Sequence, residues 1–540
     1  MKKFFNKAKE ALRDDDSRGG FAPSAGSHPP QQPLPSQDQP ENIQPPHPLE
    51  MMRYRYQHGT NLGSVFVLER WMVGSMFVEG SNGSSELVAA EGAVKAEGMD
   101  GAKRKFERHW NEYCSDADLD WLVTDAKCNS IRLPIGYFTL GPAYCANTPF
   151  ASVAPVYENA WAAVKNFTAR CASRGIGVLL DMHALPGGAN GGDHSGTNSG
   201  KAELWKSSKN LDLATRCILF VAHEARSMDA VIGIQIVNEA EWDAKGMYGW
   251  YDHVISQVGG IDYTMPIYIS DAWNLGQCVG YCNGKNGLHA GKCANPVVID
   301  THLYWAFSDD DKKKTPQQIT QEASGKLSEL DGHDGSVIDH GGMGVVIGEY
   351  SCVLTEDSWG KAAAHEKEHL VKEFGQAQSH RYQSRAGGSF FWTYRMDWMD
   401  GGEWGFKQQT KNSAITPPHS LTLSHDDVRG RISHAQSQKD GKCGNTFGSH
   451  CQYWDGQHPG NYEHWRFEKG WHLGFNDAMT FFGARADGQL KGDGGDKIGF
   501  LDLWIRKRIV DSGQAPGGFL WEWEQGFRQG IRDFYDLAGI

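Results

Sequence analysis

Core packing has no use for Asn238-Glu239, the pair that follows the apolar run in GIQIVNEAEW (233–242), nor for Glu349 in VVIGEYS (345–351). Both carboxylates sit at the carboxyl end of a strand-like run, where a barrel enzyme keeps its chemistry. Two carboxylates so placed meet the requirement of a glycosidase. In the retaining reaction one attacks the sugar while the other, protonated, gives its proton to the leaving oxygen, with the groups about 5–5.5 Å apart. The nucleophile must stay ionised, so a cation and hydrogen-bond donors should hold it; Arg132 and Tyr304 are the candidates beside Glu349. The acid must keep a proton near neutral pH, and a nearby negative charge raises its pKa. Asn238 suits the sugar 2-hydroxyl, and Trp392 offers a floor for the ring.

These residues need a scaffold that brings distant strand ends to one rim. Strand-like runs occur at 55–63, 130–136, 176–183, 231–239, 265–273, 297–305, 345–351 and 388–394. Helix-like segments with apolar residues at three- and four-residue steps fall between them, clearest at 161–175, 213–229 and 362–378. A last amphipathic segment, 521–537, is expected to close the ring. Eight buried-type strands alternating with helices predict an α/β fold, a (β/α)8 TIM barrel. A doubly wound sheet is the competitor, but no glycine-rich phosphate turn joins a strand to a helix. The strand ends collect Glu69, Arg132, His183, Asn238, Glu239, Trp273, His302, Tyr304, Glu349 and Trp392. The long insertion 395–515, rich in Gly, His, Asp and Trp, reads as a wall or lid on the catalytic face. Its Trp398, Trp404, Trp454, Trp465 and Trp471 are candidates for the aglycone side.

With 540 residues and 39% hydrophobic content, the chain can bury a large core. Residues 1–50 read as a disordered tail, Pro- and Gln-rich after residue 16, and 51–540 as the barrel domain with its insertion. Within the tail, Phe4, Phe5, Ala8, Ala11 and Leu12 share a helical face opposite lysines. That pattern fits peripheral membrane contact through residues 1–13, a weak organelle-targeting segment or a frayed basic tail. A net charge of −13 and the lack of a long basic stretch argue against a nucleic-acid partner. Nineteen Trp and 65 Gly suit carbohydrate, because sugar rings stack on indoles. The spacings of Cys278, Cys282 and Cys293, and of Cys443 and Cys451, match no zinc motif, so no metal or cofactor is expected. Without a secretory signal the eleven cysteines are expected as reduced thiols in the cytoplasm.

The motifs together resemble glycoside hydrolase family 5, and most of all its fungal exo-β-1,3-glucanase branch. RYQHGTNLGSVFVLERW (55–71) is similar to that branch's opening strand with its glutamate, here Glu69. IRLPIGY (131–137) resembles its arginine strand, and LLDMHALPGGANGGDHSG (179–196) its loop ending Asp-Asn-Ser-Gly. IQIVNEAEW, VVIDTHLYWAF (297–307), VVIGEYS and GSFFWTY follow in family order. The resemblance implies Glu239 as acid/base and Glu349 as nucleophile. Arg132, His183, Asn238, His302, Tyr304 and Trp392 would line the sugar site, Glu69 would bind its hydroxyls, and Phe307 would be one half of an aromatic clamp. Four positions depart from the pattern: Ala240 replaces a proline, Tyr350 a tryptophan, Gly192 the other clamp aromatic, and His194 an asparagine. The implied function is a retaining β-glycosidase acting on a β-glucan or β-glucoside. The alternatives are a glucosidase for lipid or other bulky aglycones and a catalytically silent carbohydrate-binding protein.

Overall fold

The computed structural model describes residues 43–288, 294–333, 335–457, 460–513 and 517–540. In chain order the first elements are α1 (Pro48–Tyr54), β1 (Gln57–Asn61), α2 (Glu86–Glu112), α3 (Asp116–Thr124), β2 (Ser130–Gly136), α4 (Ala160–Ala172) and β3 (Gly177–Ala184). There follow α5 (Ser208–Ala225), β4 (Val231–Gln235), α6 (Met247–Gly259), β5 (Ile267–Ser270), α7 (Leu275–Lys285) and β6 (Val297–Trp305). α8 (Pro316–Gly325), β7 (Val345–Leu354), α9 (Lys367–Arg385) and β8 (Gly388–Phe391) complete the series. Each strand pairs in parallel with the next, and β8 pairs with β1 from Gln57–Gly388 to Thr60–Phe391. The result is the closed (β/α)8 barrel that the alternation predicts.

Strand residues are buried on both faces, as a parallel barrel demands. Their period of two sorts them. In β2, Ile131, Leu133 and Ile135 share one face and Arg132 the other; in β3, Asp181 and His183 share a face; in β6, Asp300, His302 and Tyr304 do. The outer helices bury matching stripes, as α5 does with Ala214, Ile218, Val221 and Ala225, starting from a Ser207 cap that accepts the Asn210 N–H.

Two boundaries differ from the sequence expectation. The tail expected to run to residue 50 gives way at Pro48 to α1, which buries Met51, Met52 and Tyr54. A proline at its first position and a capping box between His47 and Glu50 start that helix. Residues 1–42, with the amphipathic segment 1–13, lie outside the described residues.

The second difference is ring closure. After β8 come α10 (Phe406–Lys411), α11 (His425–Gln457), α12 (His464–Gly483), α13 (Leu501–Asp511) and α14 (Leu520–Ala538). The helix expected to close the ring is α14, yet its main partners are α12 and α11. The reason lies in four glycines. A Cβ at Gly470 or Gly474 would stand 2.1 or 2.2 Å from the carbonyl oxygens of Trp523 and Phe527. One at Gly526 or Gly530 would stand 2.0 or 2.1 Å from those of Phe467 and Trp471. Two Gly-x3-Gly faces thus let the backbones of α12 and α14 touch. Beside β8, short α10 takes the closing place instead, with Phe406 5.8 Å from Phe391 and 6.4 Å from Trp121 of α3.

The insertion therefore does not stay on the catalytic face. Residues 484–500 pass under the opposite mouth of the barrel, where the Tyr56 N–H donates to Lys497 O and the Gly499 N–H to Tyr54 O. Arg485 and Arg55 clasp buried Asp496 there at 2.8 and 3.2 Å. Burial raises the Asp496 carboxyl, but the two arginines outweigh it and hold its pKa at about 2. Stability from this group is present above the ordinary unfolded value near 3.9 and is lost as pH falls toward 2. Asp496→Asn strands two buried cations and is expected to cost about 3–5 kcal/mol at neutral pH. In urea melts the gap between native and variant protein should narrow below about pH 4; a gap that does not change with pH would contradict this account.

Candidate active site

Arg132 is fully buried in β2, with its guanidinium among the site residues, and uses its whole fork. Nη1 donates to Glu349 Oε1 at 3.0 Å and to Asn61 Oδ1 at 2.9 Å. Nη2 donates to Asn238 Oδ1 at 2.7 Å and lies 3.0 Å from Asp181; Nε donates to Gln235 Oε1 at 2.9 Å. One guanidinium thus ties β1, β2, β3, β4 and β7 together. Burial opposes its charge, but Asp181, Asp300 and Glu349 outweigh burial and raise its pKa.

Glu349 also accepts a 2.9 Å hydrogen bond from the Tyr304 hydroxyl. A carboxylate oxygen of Glu239 lies within 4.8 Å of one of Glu349, a separation suited to a retaining pair and too short for an inverting one. Register shifts at Thr301/His302 and between Ile347 and Tyr350 aim these side chains. Gly348 precedes Glu349 for a steric reason: Asp300 Oδ1 lies 1.8 Å from where its Cβ would be.

Two imidazoles face Glu239, the candidate acid/base. His302 Nδ1 is 2.9 Å from Glu239 Oε1, and its Nε2 is 3.0 Å from Asp300 Oδ2. His194 Nε2 is 3.2 Å from Glu239 Oε2, close enough for ion pairing but out of line for a directed hydrogen bond. Burial alone would raise the Glu239 carboxyl; His194 and His302 outweigh it and hold the pKa well below the usual range. Burial depresses His194 as well, but Glu239, Glu69 and Glu349 push it up to about 9. This corrects the expectation of an acid kept protonated by a negative neighbour. Burial depresses His302 too, but Glu349, Asp300 and Glu239 outweigh it and raise its pKa, so the proton in the Glu239–His302 hydrogen bond favours the imidazole. Glu239, His302 and Glu349 are also spaced as metal donors could be. Each already has a protein partner, however, and the Arg132 cation against Glu349 repels a second one.

The pocket above the pair holds about 200 Å³ and is lined by Glu69, His183, Asn238, Tyr304, Phe307, Trp392 and Trp404, among others. Asn238 Nδ2 is a buried donor without a protein partner, placed for a sugar hydroxyl. Trp392 stacks on His183 at 5.7 Å and 6°, and His183 Nδ1 meets Asp181 Oδ2 at 2.7 Å. Glu69 accepts the Trp71 indole N–H at 3.1 Å; burial raises its pKa. A larger cavity, about 920 Å³, lies at the opposite mouth, but its Asp502 and Glu524 are ion-paired with Arg528.

The departures from the family pattern have local causes. Glu239 adopts φ 42°, which a following proline would disfavour. Ala240 permits it, and its N–H donates to Ser270 Oγ at 3.2 Å. Tyr350 is buried against Tyr382 and Phe391, away from the cleft. Gly192 and His194 are coupled: a Cβ at residue 192 would stand 2.4 Å from the His194 ring. The site gives up an aromatic on the loop and places an imidazole on the acid/base instead.

The structure brings all ten candidate residues to one end of the barrel. It adds Asn61, Asp181, Gln235 and Asp300 behind them, His194 in the pocket beside Glu239, and Trp71 and Trp404 at the rim. The Asp-x-His pairs at 181/183 and 300/302 carry a readable signal, since alternate strand residues share a face. Asn61 and Gln235 carry none. Of the insertion tryptophans, Trp404 lines the pocket and Trp398 donates its indole N–H to Trp71 O at 2.7 Å. Trp471 is buried in α12, and Trp454 packs on Trp521 in the helical unit.

Comparison with known proteins agrees with this geometry. Residues 94–386 match the family model Cellulase (glycosyl hydrolase family 5), and 435–538 match the glucan 1,3-beta-glucosidase 3 C-terminal domain. The chain is 32% identical to glucan 1,3-beta-glucosidase 3 of Schizosaccharomyces pombe, over 88% of this chain and 94% of that one. It is 30% identical to an uncharacterized glycosyl hydrolase of Saccharomyces cerevisiae, over 89% and 91%. Among solved structures, rutinosidase from Aspergillus niger superposes with TM-score 0.51 at 16% identity, over 68% of this chain and 99% of that one, and shares the fold.

Two outcomes follow from the geometry. Glu349→Gln should lower turnover about 10⁴-fold or more without unfolding the protein; retention of even a tenth of the activity would remove Glu349 as nucleophile. His194→Asn takes a cation from Glu239, so the acid's pKa should rise and the alkaline limb of kcat/KM should move up by about one pH unit. A limb that stays in place or moves down would refute the coupling.

Proposed function

The chain belongs to glycosyl hydrolase family 5, and on that premise we propose that this retaining β-glycosidase is exo-acting and removes single glucose units from β-1,3-glucan. The observation that carries the exo reading is the small pocket, with room for one sugar ring between Trp392, Glu69 and the catalytic pair. The β-1,3 linkage is supported by the name of the S. pombe relative.

Catalysis proceeds in two displacements. Glu349 attacks the anomeric carbon while Glu239, loaded with the proton it shares with His302, protonates the departing oxygen. The aglycone leaves as an alcohol, and the glucose stays as an ester on Glu349. Glu239 then takes a proton from water, the water oxygen displaces Glu349, and β-glucose leaves. Arg132 and Tyr304 stabilise the carboxylate at both ends of the cycle.

Beyond the cleavage point the structure provides an aromatic wall in place of the clamp. Trp404 stands 5.4 Å from Trp71 and 6.4 Å from Phe307, and Trp398 stands 6.3 Å from Trp71. One specific feature favours a second reading, a glucoside with a lipid or other bulky apolar aglycone: Trp71, Trp398 and Met399 expose 38%, 45% and 40% of their surface at this rim. The cytoplasmic setting expected from the sequence remains part of this proposal.

Laminari-oligosaccharides should yield β-glucose and the chain shortened by one unit, by early-time NMR and chromatography; α-glucose, or fragments from internal cleavage in place of glucose, would overturn the proposal. A higher kcat/KM on a glucosylated lipid than on laminaribiose would select the second reading. Trp404→Ala is expected to lower kcat/KM at least about tenfold more on laminaritriose than on 4-nitrophenyl β-glucoside, because a small aglycone does not span the wall. Equal losses on both substrates would rule out Trp404 as an aglycone contact.

A further inference from the structure

Away from the barrel, α11, α12 and α14 each bring one metal-ligating side chain to a common point. These are His450, His464 and Glu522, and Glu522 is fully buried. His450 Nε2 lies 3.1 Å from Glu522 Oε2, and His464 Nδ1 lies 2.9 Å from the same oxygen. All three donor atoms fall within 4.8 Å of one another. Tetrahedral zinc, with bonds of about 2.0–2.1 Å, sets neighbouring ligand atoms about 3.3 Å apart. A small rotation of each side chain about these distances would admit an ion.

The surroundings have the form of an outer ligand shell. The Glu463 N–H donates to the other oxygen of Glu522 at 2.8 Å, which fixes the carboxylate. Asp455 Oδ1 stands 3.2 Å from His464 Nε2, the arrangement that sets the tautomer of a ligating imidazole and raises its basicity. Phe467 stacks on His450 at 4.0 Å and Tyr462 on His464 at 5.2 Å. Trp454 and Trp521, 4.6 Å apart, add an apolar side. None of these groups touches the Glu239–Glu349 cleft.

We propose that His450, His464 and Glu522 bind one divalent transition-metal ion of the zinc class, which pins α11, α12 and α14 together. Two imidazoles and one carboxylate suit zinc or cobalt and disfavour magnesium and calcium, which require oxygen ligands. Water fills the fourth position. Because the ligands come from three helices, the binding free energy is folding free energy for the C-terminal unit. Hydrolysis at the barrel does not depend on the ion. Residues 450, 464 and 522 form no local motif, so the sequence gives no sign of this site. A second group about two turns away, Cys443 with Glu468 and His472, is more exposed and provides a control.

The test uses the full chain, stripped with EDTA and titrated with Co²⁺ and then Zn²⁺. Expected are one equivalent of Co²⁺ with the visible absorption of a tetrahedral ion, its displacement by Zn²⁺ but not Mg²⁺, and a Tm increase of about 5 °C with Zn²⁺. His450→Gln and Glu522→Gln should abolish the uptake, Cys443→Ser should retain it, and turnover of an aryl glucoside should be unchanged in all three. Turnover also certifies that each variant has folded. The proposal is overturned if the stripped chain takes up no cobalt, if His450→Gln binds as the native chain does, or if Cys443→Ser alone abolishes binding. If the substituted chains do not fold, cobalt uptake by the native chain decides alone.

Discussion

One buried guanidinium organises the catalytic end of this molecule. Arg132 reaches side chains on or just beyond β1, β3, β4, β6 and β7 and meets carboxylates from three of them, Asp181, Asp300 and Glu349. Its neighbours depend on it in turn: Asp181, Asp300 and Glu349 are negative groups with almost no access to water. A lone cation among three carboxylates would leave net negative charge in the interior. The nearby imidazoles, His302 above all, restore the balance. Removing one member of such a set strands the others, at about 3–5 kcal/mol each. Glu349 is therefore held in place by the same charge network that fixes the strand ends.

That balance also shapes the acid/base. A retaining glycosidase needs a proton at the leaving oxygen, and here two imidazoles compete for it with Glu239. Charge that arrives with the reacting sugar changes the competition, because oxocarbenium character near Glu349 repels protonated His302 and His194. The exchange at residues 192 and 194 fits this scheme. Room that would hold an aromatic ring holds an imidazole instead, so a loop that grips substrate in the wider family tunes a pKa in this protein.

Much of the barrel is legible in the residues alone because burial on both faces leaves long aliphatic runs. β2 and β6 begin and end where the pattern puts them, and the other strands differ by a few residues at their ends. The site is legible because strand ends have few reasons to carry Glu, His, Asn and Trp together. What escapes the pattern is contact across long sequence distance. Nothing local marks Asn61 and Gln235 as partners of Arg132. The amphipathic period of α14 declares a helix but not its partner, and α14 takes α12 rather than the barrel wall. The tail's end shifted because the capping box at His47 and Glu50 outweighs a Pro-rich neighbourhood.

The four-glycine contact between α12 and α14 has a consequence for how this protein tolerates change. An aliphatic core absorbs swaps of similar volume by small repacking, so its response to substitution is graded. A carbonyl oxygen 2.0–2.2 Å from the position of a missing Cβ leaves no such latitude. Glycine has no near neighbour among the amino acids, since every replacement adds at least that one carbon. Sequence drift should therefore be generous over the barrel's outer helices and close to forbidden at residues 470, 474, 526 and 530. The α12–α14 seam is therefore as brittle toward mutation as Gly348 at the catalytic end, although it takes no part in the chemistry.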